Sequence, residues 1–326
     1  MILTLLKFIA VSAVITALVP VALVVSQFPV KQAGTPGETL NFAGVMARGI
    51  ADMPEPQQIE TRSGWAMDVR ELGDASGAKP MVVLVHGSGW NGLQFAALAQ
   101  DLARDAHVLV PDLRGHGARP ERRGDVDYIG QMEDDLADLI AAKRAEGQKV
   151  VIAGHSSGGG LVVRFAGGAH GAVMDRAVLL APFLKHDAPA TVANSGGWAH
   201  VLLRRTIGLS ILNGFGITAL NHLTSIQFNM PQALLDGPYG HLATTAYSFR
   251  LNTGFAPRAD YLADVAALPE FTLVVGSEDE AFHADKYEGD MSAVTGKGHY
   301  VIVPGVDHLG IVDHPAAAQA IREALK

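Results

Sequence analysis

The chain has 326 residues, long enough for one large domain with an insertion; 48% are hydrophobic and 18% charged. Its formal net charge is −8, from 25 Lys and Arg against 33 Asp and Glu, with no basic cluster that would track a nucleic-acid backbone, so no nucleic-acid partner is expected. With no cysteine there is no disulfide, iron–sulfur or thiolate chemistry.

Phe8 to Val25 is an uncharged run of 18 residues. Rising 1.5 Å each, these residues approach the roughly 30 Å hydrocarbon thickness of a bilayer. Residues 1–30 are therefore read as a membrane anchor or signal sequence, with residues 1–25 in the membrane as a transmembrane helix. The stretch Val24-Val25-Ser26-Gln27-Phe28-Pro29 makes a poor cleavage site. A retained single-pass anchor is thus preferred over a secreted or periplasmic product. Lys7 and the amino terminus lead the span and place the rest of the chain on the non-cytoplasmic side, although Lys31 opposes them. Residues 31–58, with Gly34, Pro36, Gly37, Pro54 and Pro56, read as a linker with one helical turn near Leu40–Ala47.

Ile59 to Leu72 suggests an opening hairpin about Ser63-Gly64. Met81–Val85 is a continuous apolar run, the signature of a central parallel strand, and it ends in His86-Gly87-Ser88-Gly89. Helix signals follow from Gly92 to Ala103, then a strand His107–Val110 leading to Asp112-Leu113-Arg114-Gly115-His116-Gly117. Gln131 to Ala145 is acidic early and basic late, the polarity a helix dipole favours. Val150–Ala153, Arg176–Leu180, Phe271–Val275 and Tyr300–Val303 are further strands, and Pro315 opens a closing helix. This alternation defines an α/β fold: a mostly parallel sheet covered by helices on both faces, formed by residues 59–182 and 264–326. Between them the repeat breaks. Residues 183–263, with Trp198, Phe215, Phe228, Tyr239, Tyr247 and Phe249, are too long for a loop and read as a mostly helical lid.

One motif carries the chemistry. Gly154-His155-Ser156-Ser157-Gly158 lies between the strand at Val150 and a helix containing Leu161–Ala166. A serine in such a turn is lifted where a base can reach it, and the glycines allow the turn its sharpness. The next backbone N–H, that of Ser157, faces the place where an oxyanion would form. Two partners follow in order. Gly276-Ser277-Glu278-Asp279-Glu280 comes just after a strand and offers Asp279 as the acid, with Glu278 and Glu280 as rivals; Pro304-Gly305-Val306-Asp307-His308 offers His308 as the base. A serine hydroxyl is a weak nucleophile until a base takes its proton, so the order Ser, Asp, His, each residue past a strand, points to nucleophilic catalysis.

These motifs together resemble the α/β-hydrolase superfamily, and within it the lysophospholipase, monoacylglycerol lipase and serine aminopeptidase-like branch. The resemblance covers about Ile59 to Lys326. It implies Ser156 as nucleophile, Asp279 as orienting acid, His308 as base, and the backbone N–H groups of Ser88 and Ser157 as the oxyanion hole. Ser157 stands where that branch often has methionine or glutamine. The function expected is a serine hydrolase cleaving lipid-like or short to medium acyl esters through an acyl-enzyme. The alternatives are an aminopeptidase or amidase of the same fold, a cofactor-free oxidative relative of the perhydrolase or haloperoxidase kind, and a scaffold without chemistry. The partner is then a small ester or amide. His86 is read as shaping the loop before Ser88, His116 and Arg114 as bracing the turn after the fourth strand, and His155 as packing or supporting the nucleophile. No histidines or acids have ligand spacing, so no metal is expected. The Gly-rich stretch at Gly87 lacks a phosphate-loop ending, so no nucleotide or other cofactor is expected either.

Overall fold

In the computed structural model, which describes residues 2–30, 40–42, 44 and 50–326, the opening hairpin forms as read. Gln57–Glu60 (β1) pairs antiparallel with Ala66–Gly73 (β2), Ile59 opposite Met67. Met81–Val85 (β3), His107–Pro111 (β4), Val150–His155 (β5) and Arg176–Leu180 (β6) follow. The insertion contributes Ala199–Val201 (β7), Thr224–Phe228 (β8) and Ala246–Ser248 (β9), after which Phe271–Gly276 (β10) and Gly298–Val303 (β11) complete the main sheet. That sheet has the order β1-β2-β4-β3-β5-β6-β10-β11. All neighbours from β4 to β11 pair in parallel; only β1 and β2 introduce antiparallel pairings. Strands β3, β4 and β5 are buried at every residue, which is why their sequences are continuous rather than alternating apolar runs.

The principal helices are Ile2–Val25 (α1), Ala96–Leu102 (α2), Gln131–Lys143 (α3), Ser157–Ala166 (α4), Leu203–Gly214 (α5), Phe249–Phe255 (α6), Tyr261–Ala267 (α7) and Pro315–Ala324 (α8). Helix α4 starts immediately after the serine and is buried along nearly its whole length. Its one charge, Arg164, bonds Glu133 of α3, which also takes Arg258 at 2.6 Å, and Arg258 holds Asp264 of α7 at 2.8 Å. A charge buried this deeply is tolerated because each partner is itself paired.

The insertion differs from expectation. Besides its helices it carries a second, antiparallel sheet of β7, β8 and β9 beside α5 and α6. These strands are three to five residues long and β7 is buried at no position, so no period-two pattern could emerge in the sequence. The insertion has an aromatic cluster of its own, which meets the main core where Tyr247 lies edge-on to His116, ring centroids 5.1 Å apart. Trp198 stacks on Phe228 at 5.3 Å, and Phe228 meets Tyr247 edge-on at 4.7 Å.

The N-terminus also departs from the reading. The end of α1 does not stand free, because Val24 packs with Leu209 and Leu212 of α5 and Phe249 of α6. Gly208 permits this: a Cβ there would stand 2.6 Å from the Pro20 carbonyl oxygen. Arg205 donates to the Val24 carbonyl at 3.3 Å, and the Gln227 side chain brackets the Val30 backbone at 2.9 and 2.6 Å. Among the described residues no helix is long and apolar enough to cross a membrane, so the transmembrane helix expected at residues 1–25 is not carried by the structure. Within the expected linker, Leu40 and Phe42 are buried, and Phe42 lies 5.9 Å from Trp90 and 5.6 Å from Trp198, ring to ring. That part is core, not tether. The helical turn expected near Leu40–Ala47 falls largely outside the described residues.

Candidate active site

Ser156 sits between β5 and α4 with φ 54° and ψ −123°, a left-handed conformation that a non-glycine residue adopts only when its surroundings hold it there. The surroundings are on hand. The Ser156 N–H donates to the Leu180 carbonyl at 2.9 Å, and its own carbonyl accepts from Gly160 and Phe183 at 3.1 and 2.9 Å. The flanking glycines are required by close approach. A Cβ on Gly158 would stand 2.2 Å from the Val85 carbonyl oxygen, and one on Gly154 2.4 Å from that of Gly158. The turn therefore presses the start of α4 against the end of β3, where the loop carrying Ser88 begins. A Cβ on Gly87 would lie 3.1 Å from that of Ser156, which measures how near the loop comes to the serine.

The structure discriminates among the acids. His308 Nδ1 lies 2.8 Å from Asp279 Oδ2, and both are buried. The other carboxylate oxygen of Asp279 accepts the N–H groups of Ala281 and Phe282, each at 2.9 Å, so the carboxylate is fully engaged and oriented. Its rivals point elsewhere. Glu278 is exposed, Glu280 accepts the backbone N–H of His308 at 2.9 Å, and Asp307 accepts that of Gly310 at 2.6 Å. Burial works against a charged His308, but the Asp279 charge and hydrogen bond, assisted by Glu280 and Asp307, outweigh it and hold the imidazole above its ordinary range.

Gln94 and His155 brace the loops of the site. The Gly87 N–H donates to Gln94 Oε1 at 3.1 Å; Gln94 Nε2 meets His155 Nδ1 at 3.2 Å, and His155 Nε2 meets the His308 carbonyl at 3.0 Å. A carbonyl only accepts, so His155 carries its proton on Nε2 and receives one hydrogen bond from Gln94. Burial holds His155 well below the usual histidine value and keeps it neutral. One neutral ring thus connects the loop before Ser88 to the loop bearing His308. Gln94 has no motif to announce it, since a glutamine in a helical turn after a strand has no distinguishing neighbours.

His86, His116 and Arg114 take the supporting roles read for them. His86 Nδ1 lies 2.9 Å from the Gly87 carbonyl and its Nε2 accepts the Leu113 N–H at 3.0 Å. Burial pushes its pKa down to about 4. Arg114 holds Asp135 of α3 through two hydrogen bonds of 2.8 Å. Ser88 and Ser157, the two expected oxyanion donors, are brought together, their hydroxyl oxygens 2.5 Å apart. Among the described residues no cluster of histidines and acids could hold a metal ion.

A strained serine past one parallel strand, with a buried His–Asp pair past two others on the same sheet edge, is the architecture of the α/β-hydrolases. The chain belongs to the alpha/beta hydrolase family, whose sequence profile matches residues 82–320. Curated relatives match over about a third of their own length. One is an esterase of Escherichia coli, 35% identical over 25% of this chain and 31% of that protein. Among solved structures, a Saccharomyces cerevisiae monoglyceride lipase superposes with a TM-score of 0.62 at 17% identity, covering 83% of this chain and 94% of that one. A bacterial membrane phospholipase A superposes with a TM-score of 0.58 at 17% identity, covering 99% of this chain and 97% of its own.

Proposed function

We propose that the protein is a serine hydrolase of carboxylic esters. The observation that carries this is the buried His308–Asp279 pair, 2.8 Å apart, on the sheet edge where Ser156 is held in its strained turn. In this reading His308 Nε2 takes the Ser156 proton as Oγ attacks the acyl carbon. The amides of Ser88 and Ser157 hold the oxyanion, His308 returns the proton to the leaving alkoxide, and water then releases the acid by the same steps. Asp279 keeps the His308 proton on Nδ1, leaving Nε2 free to act as base. Ser156→Ala should keep its fold, lose roughly 10³-fold or more in p-nitrophenyl butyrate hydrolysis, and no longer react with a fluorophosphonate probe. Undiminished hydrolysis would remove the assignment.

The substrate class follows the aromatic insertion and the relatives' chemistry: lipid-like or short to medium acyl esters. An aminopeptidase needs an acid free to meet an amine. Glu280 is committed to the His308 backbone, Asp187 to Lys185 at 3.3 Å and Asp236 to Gln232 at 2.9 Å, which favours esters. Esters of rising chain length assayed beside aminoacyl-nitroanilides test this, and amide turnover well above ester turnover would reverse it.

We further propose that the N-terminal segment holds the protein at a membrane with the hydrolase domain on the non-cytoplasmic side. The support is the uncharged run Phe8–Val25, the full-length similarity to a membrane phospholipase A, and the exposed Leu203, Ile207, Phe215 and Ile217 on and beyond α5. Carbonate extraction with intact-mass analysis decides. An unshortened chain retained in membranes is expected, whereas a soluble product beginning near residues 26–34 would mean secretion. Protease accessibility in intact cells then reads the orientation.

A further inference from the structure

The oxyanion hole needs two amides from separate pieces of chain, one on the loop after β3 and one at the first residue of α4. A tetrahedral oxyanion is stabilised only if both amides are in place before it forms. The two residues concerned are joined through their own side chains, since Ser88 Oγ lies 2.5 Å from Ser157 Oγ. The contact does not end there. The loop carrying Ser88 is also held from the insertion, by Tyr247 of β9. Tyr247 accepts the Gly89 N–H at 2.6 Å and lies 2.6 Å from His116 Nε2.

The direction of the Tyr247 proton follows from one carbonyl. His116 Nδ1 is 3.0 Å from the Arg114 oxygen, which can only accept, so the His116 proton is on Nδ1. Burial and the nearby His86 ring keep His116 neutral, so its Nε2 is an acceptor and Tyr247 donates to it. Tyr247 Oη then accepts from Gly89. Tyr247 and His116 are each 1% exposed, so this inner end is sealed from water, while Ser88 and Ser157 are half-buried.

We propose that the hydroxyls of Ser88 and Ser157 form a clasp, closed from the insertion by Tyr247, that fixes the two amides of the oxyanion hole relative to each other. Ser88, Ser157 and Tyr247 are positioning residues through these side chains. The proposal rests on Ser156 being the nucleophile and gives the insertion a role at the site: it holds the loop that carries Ser88. It also gives the serine at position 157 a chemical task, since neither a methionine nor an alanine there could donate to Ser88.

A double-mutant cycle tests this in the full-length protein. The readouts are kcat and KM for p-nitrophenyl butyrate and the inhibition constant of an alkyl trifluoromethyl ketone, which forms the tetrahedral adduct. Ser88→Ala and Ser157→Ala should each lower kcat about tenfold with KM nearly unchanged, against about 10²–10³-fold when an oxyanion donor is removed outright. Ketone affinity should fall by the same factor. Because one contact is broken in either case, the double variant should lose no more than a single one. Tyr247→Phe, which removes a single oxygen, should show the same split between kcat and KM with a smaller loss. Multiplying losses in the double variant, losses carried by KM, or wild-type kinetics in both singles would overturn the clasp. Activity retained by Ser156→Ala, measured alongside, would instead overturn the reading of the site itself.

Discussion

In the mechanism proposed above, His308 is the residue on which the pH response turns. Only its neutral form can take the Ser156 proton, and the Asp279 pair raises its pKa above the usual 6.5. The sign follows: kcat/KM should rise with pH through a midpoint above 6.5 and be depressed below it. Asp279→Asn removes the charge that raises the pKa while leaving the burial that lowers it. The midpoint should then move down the pH scale, and turnover should fall by roughly 10⁴-fold because the histidine tautomer is no longer enforced. A pH–rate profile on both proteins checks this, and a midpoint unmoved in the variant would detach His308 from the acid limb. The same pair shows what a sequence withholds at this scale. Three acids stand side by side at 278–280, and nothing in their spacing says which one turns inward. The turn that feeds Asp279 two amide bonds, from Ala281 and Phe282, makes that choice.

Among elements, the β5–α4 junction was the most legible because its geometry is local. A sharp strand-to-helix turn needs glycines at fixed offsets from the serine, and the contacts explain both. Gly158→Ala tests the point. Its Cβ would press on the Val85 and His86 carbonyl oxygens at 2.2 and 2.4 Å, and backbone cannot rotate aside as a side chain can. A loss of about 3 kcal/mol or more is expected in urea unfolding, at the upper end of what overpacking costs; a wild-type midpoint would mean that α4 can back away from β3 freely. The central strands were legible for a related reason, since burial on both faces leaves a continuous apolar run. The insertion was not, because β7, β8 and β9 are short and depend on pairings between residues far apart in the chain. Tyr247 bonds Gly89 across that distance, and Phe42 wedges between Trp90 and Trp198 from a stretch that reads as a polar tether.

At the scale of the whole molecule, the loops of the site are held by imidazoles that the fold keeps uncharged. His86, His116 and His155 are each at most 1% exposed, and each uses one ring nitrogen as an acceptor that protonation would destroy. Their folded-state pKa values lie below the unfolded value of 6.5, burial being the first cause in all three. The unfolded chain therefore binds more protons than the folded one as pH falls below that value. Their contribution to stability is complete above pH 6.5 and is lost progressively as pH drops toward about 4, where His86 titrates. Each ring adds up to about 1.4 kcal/mol per pH unit to the slope, so three rings amount to a large fraction of a typical domain's stability within two units. His308 does not offset this loss, because its raised pKa leaves it protonated in both states over that range. Asp112 and Asp135, whose carboxyls burial pushes up, act in the opposite sense at the acid end of the window, where they take up protons in the fold. Urea unfolding at pH 7.5, 6.5, 5.5 and 4.5 should give a free energy that is nearly flat over the first step and falls steeply over the next two. A free energy constant from pH 6.5 to 5.5 would mean that these rings accept protons without opening the structure, and that the loops around Ser156 do not depend on their neutrality.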